Sequence, residues 1–213
     1  MRCVHAISAT LILFFSVFCF AQNWVQYTST IDHFRILAPG EFTVDDFDYA
    51  SEYGAVFPAR FYGYEDGASH YSVTVVDYTD AQRIRLERTN STEADSGSRY
   101  WEIEVRASVA YAAWNLRQRG GEITFDAYHY INLIEGHQLQ MTNSDQSRTF
   151  AAIYLHDSRL YIVEATVPAG SIPPGLFQQS LEILDEDGNR IRYRNLVDAI
   201  KVRNAPGRAN PEP

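Results

Sequence analysis

RTFAAIYLHDSRLYIVEATV, from Arg148 to Val167, is the stretch whose reading decides the fold. Arg148 to Leu155 and Leu160 to Val167 are apolar runs rich in aromatic and β-branched residues. Each has strand length, short of an ordinary helix. His156 to Arg159 between them is polar and tight, so the runs read as adjacent antiparallel strands. The pattern extends upstream. Asn143 to Gln146 reads as another turn, His137 to Thr142 as another strand, and Glu122 to Phe125 as the strand before it. This half of the chain is therefore an antiparallel meander.

The first half reads as strands followed by helices. Trp24 to Tyr27 and Phe34 to Leu37 are short strands, the second ended by Pro39-Gly40. Gly54 to Tyr64 and His70 to Tyr78 form a hairpin through Glu65-Asp66-Gly67, because Asp-Gly supplies the positive φ that tight reversals need. Pro58 predicts an edge strand or a bulge in its arm. A short helix spans Asp80 to Arg88, a polar loop Thr89 to Gly97, and a long helix Arg99 to Arg119. In the long helix Trp101, Val105, Ser108 or Val109, Ala112 and Leu116 recur on one face, and Gly120-Gly121 provides the stop. After the meander, Pro173-Pro174 opens a short helix through Leu181. Asp185 to Asn189 turns into Arg190 to Tyr193, and a last helix covers Leu196 to Lys201. The order predicts an α+β domain, an antiparallel sheet flanked by helices.

The amino terminus predicts export. Arg2 supplies a positive start, Ile7 to Phe20 an apolar run broken only by Ser8, Thr10 and Ser16, and Cys19-Phe20-Ala21 a cleavage site before Gln22. The expected organisation is a signal peptide over 1–21, one domain over 22–203 and a disordered proline-containing tail over 204–213. About 190 residues remain after cleavage, enough for a single core that buries roughly 70% of its unfolded surface. Cys3 and Cys19 both fall inside the signal, so the mature chain has no disulfide and no thiolate ligand. Phe18 before Cys19 is too large for lipoprotein processing, which leaves no stable membrane anchor. The net charge of −9, with Lys201 the only lysine, argues against nucleic acid and anionic membrane surfaces as partners. The destination is periplasmic or extracellular.

No catalytic residue set emerges. His33, His70, His129, His137 and His156 lack HExxH spacing; His129 and His137 are the pair that strands could bring together. Asp185-Glu186-Asp187-Gly188-Asn189 places its glycine too early for an EF-type calcium loop and reads as a tight turn. Asp45, Asp46 and Asp48 read as a solvated acidic loop, with a weak cation site as the alternative. GxSxG, SxxK and phosphate-binding glycine loops are absent, and nothing calls for a metal or cofactor. Asn90-Ser91-Thr92 is a glycosylation sequon that matters only in a eukaryotic secretory route. Carboxylates are plentiful, and only the fold can set a glycosidase-like pair. The aromatic residues are the remaining clue. Tyr111 and Trp114 lie on the long helix outside its apolar stripe, where they form a candidate binding surface or pack beneath a loop.

FRILAPGEF (Phe34 to Phe42), Gly136-His137-Gln138-Leu139, RLYIVEATVP (Arg159 to Pro168) and the helix LFQQSL (Leu176 to Leu181) before a terminal strand together resemble the PsbP/Mog1-like group of domains, which includes small exported bacterial proteins of unknown function. The resemblance implies an α/β/α sandwich with an antiparallel sheet, and no single activity. The expected function is a non-enzymatic binding or accessory protein of the cell envelope with a protein or small-molecule partner. A small secreted carboxylate-dependent hydrolase is the alternative.

Overall fold

In the computed structural model, residues 24–88 and 100–195 are described. The stretches expected as signal peptide, sequon loop, last helix and tail lie outside them. The strands are β1 (Val25–Ser29), β2 (Phe34–Ala38), β3 (Thr43–Ala50), β4 (Val56–Asp66), β5 (Ser69–Asp77), β6 (Glu122–Ile131), β7 (Ile134–Thr142), β8 (Arg148–His156), β9 (Arg159–Val167) and β10 (Glu182–Ile183). The helices are α1 (Ala81–Arg88), α2 (Tyr100–Gln118) and α3 (Gly175–Gln179).

A seven-stranded antiparallel sheet in the order β3-β4-β5-β9-β8-β7-β6 forms the central layer. β8 is buried along nearly its whole length because both faces of the sheet are covered there. Ala151, Ile153 and Leu155 point to one face with Leu160, Leu139 and Met141, and α2 lays Val105, Ala112, Ala113 and Leu116 on them. The small residues on both sides let the helix approach closely. Phe150, Ala152 and Tyr154 point the other way, with Tyr71, Val73, Tyr161 and Val163. That face packs against Phe34 and Ile36 of β2, Ile183 of β10 and Phe177 of α3. The three-stranded sheet β1-β2-β10 and α3 thus make the third layer. Gln178 fastens α3, its Nε2 donating to the Ala151 carbonyl at 2.8 Å.

A buried polar hub locks the small sheet to the large one. Residues 30–33 turn from β1 into β2 and place Asp32 over β4. Both Asp32 carboxylate oxygens accept from Arg60 Nη1 at 2.8 Å, and the Tyr62 hydroxyl donates to Oδ2. Ser29 Oγ lies 2.9 Å from that hydroxyl, and Tyr161 donates to the Asp32 carbonyl at 3.0 Å. Burial, then the Asp32 hydrogen bond, raises the Tyr62 pKa. Burial would lower that of Arg60, but Asp32 and Tyr62 outweigh it and hold the guanidinium charged. Asp46 accepts from Arg60 Nε at 2.8 Å on the outer side.

The meander, the hairpin and the long helix stand as read from the sequence. Val105, Ala112 and Leu116 are buried, and Gly120 takes φ +85° at the helix end. Several boundaries differ. Asp45, Asp46 and Asp48 are not in a loop; they lie on the edge strand β3. Pro58 sits on β4, which has neighbours on both sides. It is tolerated because β4 pairs with β5 only from Ala59 onward, so at Pro58 the strand meets β3 alone. β6 runs on to Ile131, well past Phe125, and carries Tyr128 and Tyr130. The strand after α3 is Glu182–Ile183, and Arg190 makes only an isolated bridge to Leu184.

Candidate functional site

α2 crosses the sheet with its apolar stripe down, which turns Tyr111 and Trp114 away from the core centre. The spacing of three residues sets the two rings one above the other on the helix surface. They stack with centroids 6.0 Å apart and planes 13° apart. Trp114 is 51% exposed, whereas Tyr111 is half-buried.

Within electrostatic reach of Tyr111 lies a polar cluster drawn from several elements. Tyr49 comes from β3, Ser51 from the β3–β4 connection, and Tyr78 from the end of β5. Burial and the nearby Tyr111 push the Tyr49 hydroxyl up to about 12, with Asn115 acting in the opposite direction, and the buried hydroxyl makes no hydrogen bond within the described residues. Burial, then Tyr49, Glu104 and Tyr111, raises Tyr78. Its ring packs on Phe57 at 4.4 Å. Glu104, one turn above Ser108 on α2, has a side chain only 1% exposed. Ser51 Oγ donates to its Oε1, and Arg85 Nη1 of α1 stands 3.9 Å from its Oε2. The tyrosines stay protonated at neutral pH, so the cluster supplies hydroxyls, one buried acid and its counter-ion. Ser51 is bonded to a carboxylate and not to an imidazole, which is not the arrangement of an activated nucleophile. The chemistry on offer is contact and hydrogen bonding, with the exposed indole outermost.

The other candidates resolve into structural roles. His129 and His137 do not meet. His129 pairs across from Gly136 and His137 from Tyr128, so the two imidazoles leave opposite faces of the sheet. His129 Nδ1 lies 3.0 Å from the Tyr154 hydroxyl. His137 joins Asp126, whose carboxylate also accepts from Arg117 Nε at 2.7 Å and Nη2 at 2.8 Å. Arg117, and less strongly His137, hold Asp126 down at about 2 against the effect of burial. His156 is buried 2.6 Å from the Tyr193 hydroxyl, and burial lowers its pKa to about 4. His33 Nδ1 contacts the Asp185 carbonyl at 3.2 Å, and His70 pairs with Glu65. The Asp185–Asn189 segment is the tight turn expected: Asp185 Oδ1 accepts from the amides of Asp187 and Asn189, and Gly188 takes φ +79°. Among the described residues no three His, Cys, Asp or Glu side chains are grouped to hold a metal ion. Among the same residues no helix is long and apolar enough to cross a membrane.

Reading the sequence alone missed Tyr49 and Tyr78 near Tyr111, and Glu104 beside Tyr78 and Ser51. Tyr49 sat in a stretch read as an acidic loop, and the buried Glu104 has the appearance of an ordinary surface position on a charged helix. The signal that could have found Glu104 is its place four residues before Ser108 on the stripe's flank. No protein-family model matches the chain, and no curated protein matches it.

Proposed function

We propose that this chain is an exported, non-enzymatic binding or accessory protein of the cell envelope, of PsbP/Mog1-like α/β/α architecture, whose contact surface is Tyr111 and Trp114 on α2. A central antiparallel sheet with α2 on one face, and α3 with a small second sheet on the other, supports the layered α+β part, and the leader read in residues 1–21 supports export. The observation that carries the binding reading is the stacked pair. A half-exposed tryptophan is stacked on a half-buried tyrosine of the same helix, and Tyr49 and Tyr78 lie within electrostatic reach of that tyrosine. Preorganised aromatic anchors lose little conformational freedom on binding and dominate interface energetics. The partner is a protein or a small molecule; the acidity of the chain speaks against nucleic acid. The hydrolase alternative gains no support from Asp32 and Asp46, which converge only as counter-ions of Arg60.

The test is the double substitution Tyr111→Ser/Trp114→Ser in the mature protein. Loss of capture of a defined partner with an unchanged melt supports the proposal. A large stability loss with no separable effect on capture makes the pair ordinary packing and rejects it.

A further inference from the structure

Among the described residues the seven-stranded sheet ends in two edge strands of opposite character, β3 and β6. Edge strands offer unpaired backbone groups, and proteins guard them with charge. β3 is guarded by Asp45 and Asp48, while Asp46 is paired with Arg60. Antiparallel pairing of β3 with its own copy about the strand centre would set Asp45 against Asp48. β6 is not guarded in this way. Its one mid-strand acid, Asp126, is neutralised within the chain by Arg117 and accompanied by His137.

The side-chain pattern of β6 is that of a strand with a neighbour still to come. Cross-strand register puts Ile123, Asp126, Tyr128 and Tyr130 on the α2 side and Phe125, Ala127 and His129 on the other. Phe125 is 42% exposed, Tyr128 57% and Tyr130 45%. Large apolar groups thus stand exposed on both faces. An edge strand meant for water would alternate apolar and polar.

We propose that β6 is the seam of a two-fold symmetric dimer, in which residues 125–131 of one copy pair antiparallel with the same residues of a second copy. The irregularity between Ile123 and Phe125 ends the regular strand and limits the seam to this segment. The strand is self-complementary in charge. A register centred on Tyr128 sets Asp126 opposite Tyr130, so the two aspartates avoid each other. For a chain of net charge −9, this sheet edge is where two copies approach with the acid already compensated. Two-fold pairing also closes on itself and consumes both β6 edges, whereas β6 on β3 would propagate into an open fibre.

The experiment is sedimentation velocity on the mature chain and on Phe125→Lys/Tyr130→Lys, with thermal melts of both. At about 100 μM, a micromolar dissociation constant would leave most chains paired. The expected result is a wild-type dimer and a monomeric variant, with equal melts at a dilution where both are monomeric. A monomeric wild type, a variant that still dimerises, or a ladder of larger species overturns the proposal. Amide exchange on the wild type gives a readout that needs no variant. Residues 125–131 should exchange more slowly at high than at low protein concentration, and concentration-independent exchange there overturns the seam.

Discussion

Removing the Asp32 carboxylate is the most informative perturbation of the fold, because one side chain ties the two sheets together. In Asp32→Ala, Arg60 loses two contacts at 2.8 Å, and the Tyr62 hydroxyl loses its acceptor inside the layer. Breaking a fully buried pair from one side costs about 3–5 kcal/mol. Arg60 is 25% exposed and keeps Asp46, so water and that carboxylate offset part of the loss. The expected destabilisation is therefore about 2–4 kcal/mol. At this chain length it corresponds to a fall in Tm of roughly 5–15 °C. Urea unfolding of wild type, Asp32→Ala and Asp32→Asn measures it, with equal slopes showing that the denatured state is unchanged. Asp32→Asn retains an acceptor for Tyr62 and should fall between the other two. A loss below about 0.5 kcal/mol for Asp32→Ala, the scale of surface substitutions, would refute the hub.

Leu116→Ala removes a fully buried side chain between α2 and the sheet and should cost about 2–5 kcal/mol in the same assay. Gly136→Ala would drive a Cβ into the Ile153 carbonyl and the Tyr154 ring, so it should cost about 1–3 kcal/mol through backbone displacement, measured as a lower urea midpoint. His156 binds protons less readily folded, near pH 4, than at its ordinary 6.5. Its contribution is complete above pH 6.5 and is lost as the pH falls towards 4, up to roughly 3 kcal/mol. The wild-type Tm should drop over that interval more steeply than that of His156→Gln.

Much of the fold is legible in the sequence because burial writes itself into periodicity. β8 and β9 are apolar on both faces or strictly alternating, and α2 repeats its stripe at helical spacing. β3 is not legible in the same way. As an edge strand its side chains meet water, so its sequence, TVDDFDYA, has the composition of a loop. The end of β6 is obscured for a related reason: its exposed tyrosines show no inside and outside. β10 is two residues long and is fixed by pairing with Phe34 and Arg35, a tertiary fact absent from local pattern. For the site, helical phase sufficed to place Tyr111 and Trp114 off the core. It could not supply Tyr49, Tyr78 or Ser51, which reach α2 only through the return of β3, β4 and β5 to the same face.

The central claim is that the Tyr111–Trp114 face meets a partner. Site-specific photo-crosslinking in exporting cells tests it most directly, with the photoreactive residue at position 114 and, as control, at the exposed Gln26 of β1 in the third layer. The account predicts a discrete adduct from position 114 that is absent from position 26 and is lost on adding Tyr111→Ser. No adduct at 114, or the same adducts from both positions, would contradict it.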